Sequence, residues 1–139
     1  MAASPSRPLP SLTAELKPFF DGAREGRLVL QKCASCSKFR FPPQELCDHC
    51  GAWESTFAPV SGRGEILSFI VVHQVYHPAF AALVPYVVAR IRLREGVVLT
   101  SNVIGIAPAQ VRCGMPVEVT FAQLDGDTIL PVFRPAPAA

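Results

Sequence analysis

Two short cysteine pairs constrain this chain more than any other feature. Cys33-Ala34-Ser35-Cys36 and Cys47-Asp48-His49-Cys50 are separated by ten residues. Each Cys-x-x-Cys offers two thiolates within one tight turn, and together they supply the four ligands a tetrahedral zinc ion requires. The turn after each pair calls for a residue at positive φ; Gly51 suits that position and Ser37 fills it less comfortably. Four thiolates close the coordination shell, so one structural zinc held by Cys33, Cys36, Cys47 and Cys50 is predicted, with no open position for substrate. His49 lies between two ligands and is a possible replacement for one of them, but the set is complete without it. The competing assignment is two disulfides, which need an oxidising compartment. Residues 1–8 contain no continuous apolar run of the secretory kind, so a reduced, cytoplasmic chain with metal is expected.

The remaining sequence sets the frame around that ribbon. With 139 residues, half of them apolar, the chain can build one ordinary domain and a small appendage. Its apolar stretches are strand-length and interrupted by polar residues, so no membrane-spanning segment is predicted. Residues 1–11, rich in proline, serine and alanine, are expected to be disordered. A helix is expected over 12–27, where Pro18 suits a first turn and Gly26 stops the run. Beyond residue 60 the apolar period becomes two. Leu67, Phe69, Val71 and His73 fall on one strand face, and Val87, Ala89, Ile91 and Leu93 alternate with Val88, Arg90, Arg92 and Arg94. Val97 to Ile104, Val117 to Phe121 and Ile129 to Phe133 continue the series, with turns at Glu95-Gly96 and Asp125-Gly126 and one helical turn from Pro108 to Val111. Five strands with a helical turn between the third and fourth match the order of an OB-fold, a small Greek-key barrel. The predicted fold class is therefore mainly β: a short N-terminal helix, a zinc ribbon over 28–59, an OB barrel over 60–135 and a frayed tail over 136–139.

With these units placed, the sequence resembles the acyl-CoA-associated family whose members carry an N-terminal helix, a rubredoxin-like zinc ribbon and a C-terminal OB-fold. The matching stretches include Pro18-Phe19-Phe20-Asp21-Gly22, Phe41-Pro42-Pro43, Cys47-Asp48-His49-Cys50-Gly51, Val60-Ser61-Gly62-Arg63-Gly64, Pro85-Tyr86-Val87-Val88-Ala89 and Leu130-Pro131-Val132-Phe133-Arg134-Pro135. They run from Pro18 to Pro135 in the family's order. The resemblance implies an accessory subunit in a hetero-oligomer with a thiolase-fold acyltransferase, synthase or aldolase, or with an acyl-CoA hydratase-like protein. It also implies that the barrel shares the coenzyme A thioester with the partner, while ribbon and helix form part of the interface. On that basis Tyr76, His77, Phe80 and Asn102 are expected to face the acyl-CoA, and Phe19, Phe20, Phe39 and Phe41 the partner.

No catalytic constellation is evident in the residues themselves. Cys113 stands alone beside Gly114, and the His73/His77 spacing would align only on a helix, which Pro78 opposes. There is no Gly-x-Ser-x-Gly elbow and no glycine-rich phosphate loop. An independent acyl-CoA hydrolase or hydratase therefore ranks below the subunit reading. The second reading is a module for single-stranded nucleic acid, suggested by the fold and by Arg90, Arg92 and Arg94. Against it stands charge: residues 64–139 contain five basic and five acidic side chains, no net attraction for a polyanion.

Overall fold

A computed structural model of the chain describes residues 6–124 and 126–137. Helix α1 spans Lys17–Arg24, with Pro18 in its first turn and Gly26 at φ 74° just past its end. The helix lays Phe20, Gly22 and Ala23 against the next segment. A Cβ at position 22 would lie 2.6 Å from Val29 Cγ2, so only glycine permits this approach. Residues 6–11 carry no helix or strand, and residues 1–5 of the expected disordered segment lie outside the described residues.

The ribbon is a three-stranded antiparallel sheet. Strand β1 (Val29–Cys33) lies between β2 (Phe39–Arg40) and β3 (Ser55–Pro59). Gln31 sits opposite Arg40, and Cys33 opposite Ser55.

Five further strands close into a barrel: β4 (Arg63–Val72), β5 (Tyr86–Leu93), β6 (Val98–Val103), β7 (Pro116–Gln123) and β8 (Ile129–Pro135). Their order around the barrel is β4-β5-β6-β8-β7, and β4 returns to β7 through Arg63↔Glu118 and Gly64↔Val117. That is the OB arrangement, and a 3-10 turn at Pro108–Gln110 separates the third and fourth barrel strands as expected. The alternation of β5 is realised residue by residue: Val87, Ala89, Ile91 and Leu93 are buried, while Arg90 and Arg92 are exposed. Closure pairs every barrel strand among the described residues on both sides.

Strand β4 departs from the sequence expectation. Its pairing with β5 slips between Ile66 and Ser68, so one face of the strand is handed from even to odd residues. Ile66, at 1 % exposure, fills the core position assigned to Leu67, which is half-buried; beyond the bulge Phe69 and Val71 resume packing inward. His73 lies past the strand end and is exposed. A bulge adds one residue and flips every later side chain, and no period-two pattern announces it. Of the expected Asp125-Gly126 turn, Asp125 lies outside the described residues; Gly126 is at φ 68° and the Leu124 N–H donates to the Thr128 carbonyl. Residues 136 and 137 belong to no element, and residues 138 and 139 lie outside the description.

Barrel and ribbon share one hydrophobic core. Leu28 and Leu30 cluster with Ile66, Ile91, Val117 and Phe133 of the barrel. Strand β1 therefore belongs to the barrel core at one end and to the cysteine site at the other. No helix among the described residues is long and apolar enough to cross a membrane.

Candidate functional site

The two Cys-x-x-Cys turns fold alike. Cys33 ends β1; the Ser37 N–H donates to the Cys33 carbonyl at 3.1 Å, and Ser37 takes φ 63°. In the second turn the Gly51 N–H donates to the Cys47 carbonyl at 2.9 Å, and Gly51 takes φ 77°. Both positive-φ positions thus fall where the spacing placed them. Each turn aims backbone amides at its first sulfur: the Cys36 N–H points at Cys33 Sγ across 3.5 Å.

The four sulfurs converge. Cys33 Sγ lies 3.6 Å from Cys50 Sγ, Cys36 Sγ lies 3.7 Å from Cys47 Sγ, and all four sit within 4.8 Å of one another. A tetrahedron with Zn–S bonds of about 2.3 Å has edges of about 3.8 Å, so the donor set fits zinc in both chemistry and size. All four are free thiols rather than the disulfides that formed the competing assignment. His49 stays outside the cluster, exposed, with Nδ1 3.2 Å from Lys38 Nζ.

Local electrostatics prepare thiolates. The Cys36 N–H, with help from that of Ser35, lowers the Cys33 thiol from 9.0 to about 6. Cys47 is lowered likewise, chiefly by the Cys50 and His49 amides. Cys50 goes the other way: the Ala52 N–H favours its thiolate, but Cys33, burial and the two other sulfurs together push it up to about 11. Four like charges cannot crowd together without a cation among them, which is the electrostatic case for metal. With four sulfur ligands such a zinc has no vacant position, so it holds the fold and performs no chemistry.

A buried polar network behind the cysteines escaped the sequence analysis. The Gln31 amide nitrogen donates to the Gln44 carbonyl at 2.9 Å and to Ser55 Oγ at 3.0 Å, while the Gln44 N–H donates to Gln31 Oε1 at 2.8 Å. Arg40 is 5 % exposed and also donates to the Gln44 carbonyl, at 2.9 Å. These bonds tie the β2–β3 connection to β1. A glutamine and an arginine in short strands look solvated by pattern alone; only their cross-strand register buries them together.

At the barrel end where β5 begins is a cavity of about 300 Å³, lined chiefly by apolar side chains including Leu83, Tyr86, Ile106 and Leu130. Phe80 and Asn102 are in its wall, and the Asn102 Nδ2 donates to the Val87 carbonyl at 2.9 Å. Tyr76 and His77 are not among the lining residues. Tyr76 is 75 % exposed, whereas His77 accepts the Ala79 N–H at Nδ1 and stands edge-on to Phe80. Of the four phenylalanines expected at an interface, Phe20 is buried and Phe19, Phe39 and Phe41 are half-buried against the common core. Phe19 lies between Phe20 and Phe41, with ring centroids 5.1 and 5.0 Å away. On the barrel exterior Arg92 pairs with Glu65 at 3.3 Å, and Arg90, Arg94 and Cys113 are exposed.

Comparison with known proteins places the whole arrangement. The ChsH2 rubredoxin-like zinc ribbon domain matches residues 20–54, and the ChsH2 C-terminal OB-fold domain matches residues 58–122. A probable enoyl-CoA hydratase alpha subunit of Thermomonospora curvata is 42% identical over 94% of this chain; the chain spans 40% of that relative's length. A DUF35 domain-containing scaffold protein of Methanocaldococcus jannaschii is 35% identical over 72% of each chain. Among solved structures, a chain of the Ltp2-ChsH2(DUF35) aldolase is 41% identical with a TM-score of 0.82, covering 91% of this chain and 98% of that one.

Proposed function

Because this chain belongs to the ChsH2 (DUF35) family of zinc-ribbon and OB-fold proteins, we propose that it is the accessory, non-catalytic subunit of an acyl-CoA enzyme. One observation carries the reading: the likeness to a chain of the Ltp2-ChsH2(DUF35) aldolase extends over ribbon and barrel together, at 98% of that chain. The partner is a thiolase-fold enzyme in this reading, and it performs the bond making and breaking. A hydratase partner is the second choice, favoured by the name of the Thermomonospora relative.

The residues support a division of labour. The sulfur-closed zinc site makes a rigid ribbon without reactivity, suited to present a surface. The half-buried Phe19, Phe39 and Phe41 contribute apolar area to the partner interface, and the Phe80 and Asn102 end of the barrel faces the coenzyme A thioester. Free thiols at the metal site call for a reducing compartment, in keeping with the cytoplasm.

The test is purification of the tagged full chain from its native host, with mass spectrometry and zinc analysis of the eluate. A thiolase-fold or hydratase-like protein in stoichiometric amount, with acyl-CoA turnover that falls when this chain is omitted, is the expected result. Recovery of the chain alone, or with salt-sensitive nucleic acid in place of protein, would overturn it.

A further inference from the structure

The barrel-end cavity lies where the barrel is least tightly sewn. Strands β6 and β8 run parallel there and share a single register pair, Val103↔Phe133, supplemented by the Ser101 hydroxyl donating to the Pro131 carbonyl. Residues of both strands, Asn102 to Ile104 on one and Leu130 and Val132 on the other, form its walls. The connection from β4 to β5 supplies Phe80 and Leu83 to the lining, and the N-terminal segment supplies Arg7. Aliphatic and aromatic walls give water few partners, so a hydrocarbon occupant is favoured over solvent. The volume, about 300 Å³, reaches the range of small-ligand pockets.

Arg7 is the cation at this site. Its guanidinium carbon lies 4.9 Å from the centre of the Phe80 ring, and its Nε is buried without a hydrogen-bond partner. No carboxylate pairs with Arg7 among the described residues. A buried guanidinium N–H that bonds to nothing is costly, and an anionic oxygen entering beside it would remove that cost. Asn102 commits one of its Nδ2 hydrogens to the Val87 carbonyl, and Arg7 is the cationic donor in the lining.

We propose that this cavity binds an apolar chain ending in an acyl oxygen group, with the hydrocarbon between β6 and β8 and the head at Arg7. The inference rests on the reading above, which turns this barrel end to the coenzyme A thioester, and deepens it by naming where the acyl chain lies; loss of probe binding would leave the co-purification result untouched. A free carboxylate and an acyl thioester share the hydrocarbon and a carbonyl oxygen acceptor, and only the carboxylate brings charge to Arg7.

The experiment is displacement of fluorescent cis-parinaric acid from the purified, zinc-loaded full chain by dodecanoate, dodecanol and dodecanoyl-CoA. Saturable probe binding and competition by dodecanoate are expected. Arg7→Ala should weaken dodecanoate about tenfold and leave dodecanol within about twofold, because only the charged head loses its contact. Leu83→Trp, at a rim position 45% exposed, should fill the opening and weaken all competitors that bind the wild type about tenfold, with zinc content and melting unchanged. Ala122→Phe, filling the cavity from β7, provides the same reading if Leu83→Trp misfolds. Competition by dodecanoyl-CoA at the level of dodecanoate identifies a thioester ligand; competition by dodecanoate alone identifies a free acid. Absence of saturable probe binding, or an Arg7→Ala variant that treats dodecanoate as the wild type does, would overturn the proposal.

Discussion

Ribbon and barrel meet in one core yet are held by different physics. In the barrel, inward side chains of β5 are at most 2 % exposed and every strand is hydrogen-bonded on both sides. In the ribbon, β3 is largely exposed, Trp53 is 64% exposed and Leu46 44%. So small a sheet buries too little apolar surface to stand alone, and the four sulfurs with the Gln31 network replace it. A hydrophobic core is specified by many interchangeable residues, a metal centre by four that cannot be exchanged. Strand β1 joins the two regimes, with Leu30 in the barrel core and Cys33 three residues later at the metal site.

The largest effect expected from a single change is at Cys33. Cys33→Ala should abolish stoichiometric zinc and unfold the cysteine end of the ribbon, residues 33–55, a loss on the order of 10 kcal/mol of metal-linked folding energy. Amide exchange should show the barrel strands still protected; if they lose protection together with the ribbon, the two regions form one cooperative unit and the contrast is broken. Acid should act in the same direction. In the metal-free cluster the Cys36 N–H chiefly holds the Cys33 thiol near 6, below its ordinary 9.0, so protons compete with zinc for this sulfur increasingly as the pH falls. Zinc release measured with a chromogenic chelator should accordingly rise from pH 7.5 to pH 5; release independent of pH over that range would exclude thiolate ligation.

Ile91→Ala tests the other side of the comparison. At 0 % exposure this truncation should cost about 2–5 kcal/mol, read as a lower urea midpoint for the barrel, while zinc content stays at one per chain. Gln31→Ala comes next: it removes three hydrogen bonds around a side chain that is itself buried and leaves the Gln44 N–H without its acceptor, for about 1–3 kcal/mol seen in the ribbon and not in the barrel. Arg90→Ala should be the smallest, within about 0.5 kcal/mol, since the side chain is exposed and forms no ion pair among the described residues. A larger drop in melting temperature would mean that this arginine face carries structure of its own.

The metal centre was legible in the sequence because its ligands sit within one turn of each other. Chain connectivity alone brings Cys33 to Cys36 and Cys47 to Cys50, and positive φ at Ser37 and Gly51 follows from the same turns. The strands were legible for a similar reason, as β5 shows with its strict alternation. Features that depend on pairing were not. The bulge exchanging Ile66 for Leu67 is a property of β4 against β5, and the burial of Gln31 with Arg40 is a property of register. The cavity is lined from β5, β6, β7 and β8 and from connecting loops, an assembly that no local pattern encodes. Phe80 and Asn102, 22 positions apart, enter its wall from different elements, while Tyr76 and His77 next to Phe80 do not.

What the sequence determined by itself is therefore the set of short-range commitments: a four-sulfur zinc ribbon, a helix stopped at Gly26, and five alternating strands in OB order. What only the tertiary structure decided is which of those pieces touch. It placed Leu28 and Leu30 inside the barrel's core, lined a cavity from four barrel strands and brought Arg7 into that lining. The division has a physical cause. Turns and periodicity are settled by neighbours along the chain, whereas packing is settled by contacts across it, whose partners sequence separation does not reveal.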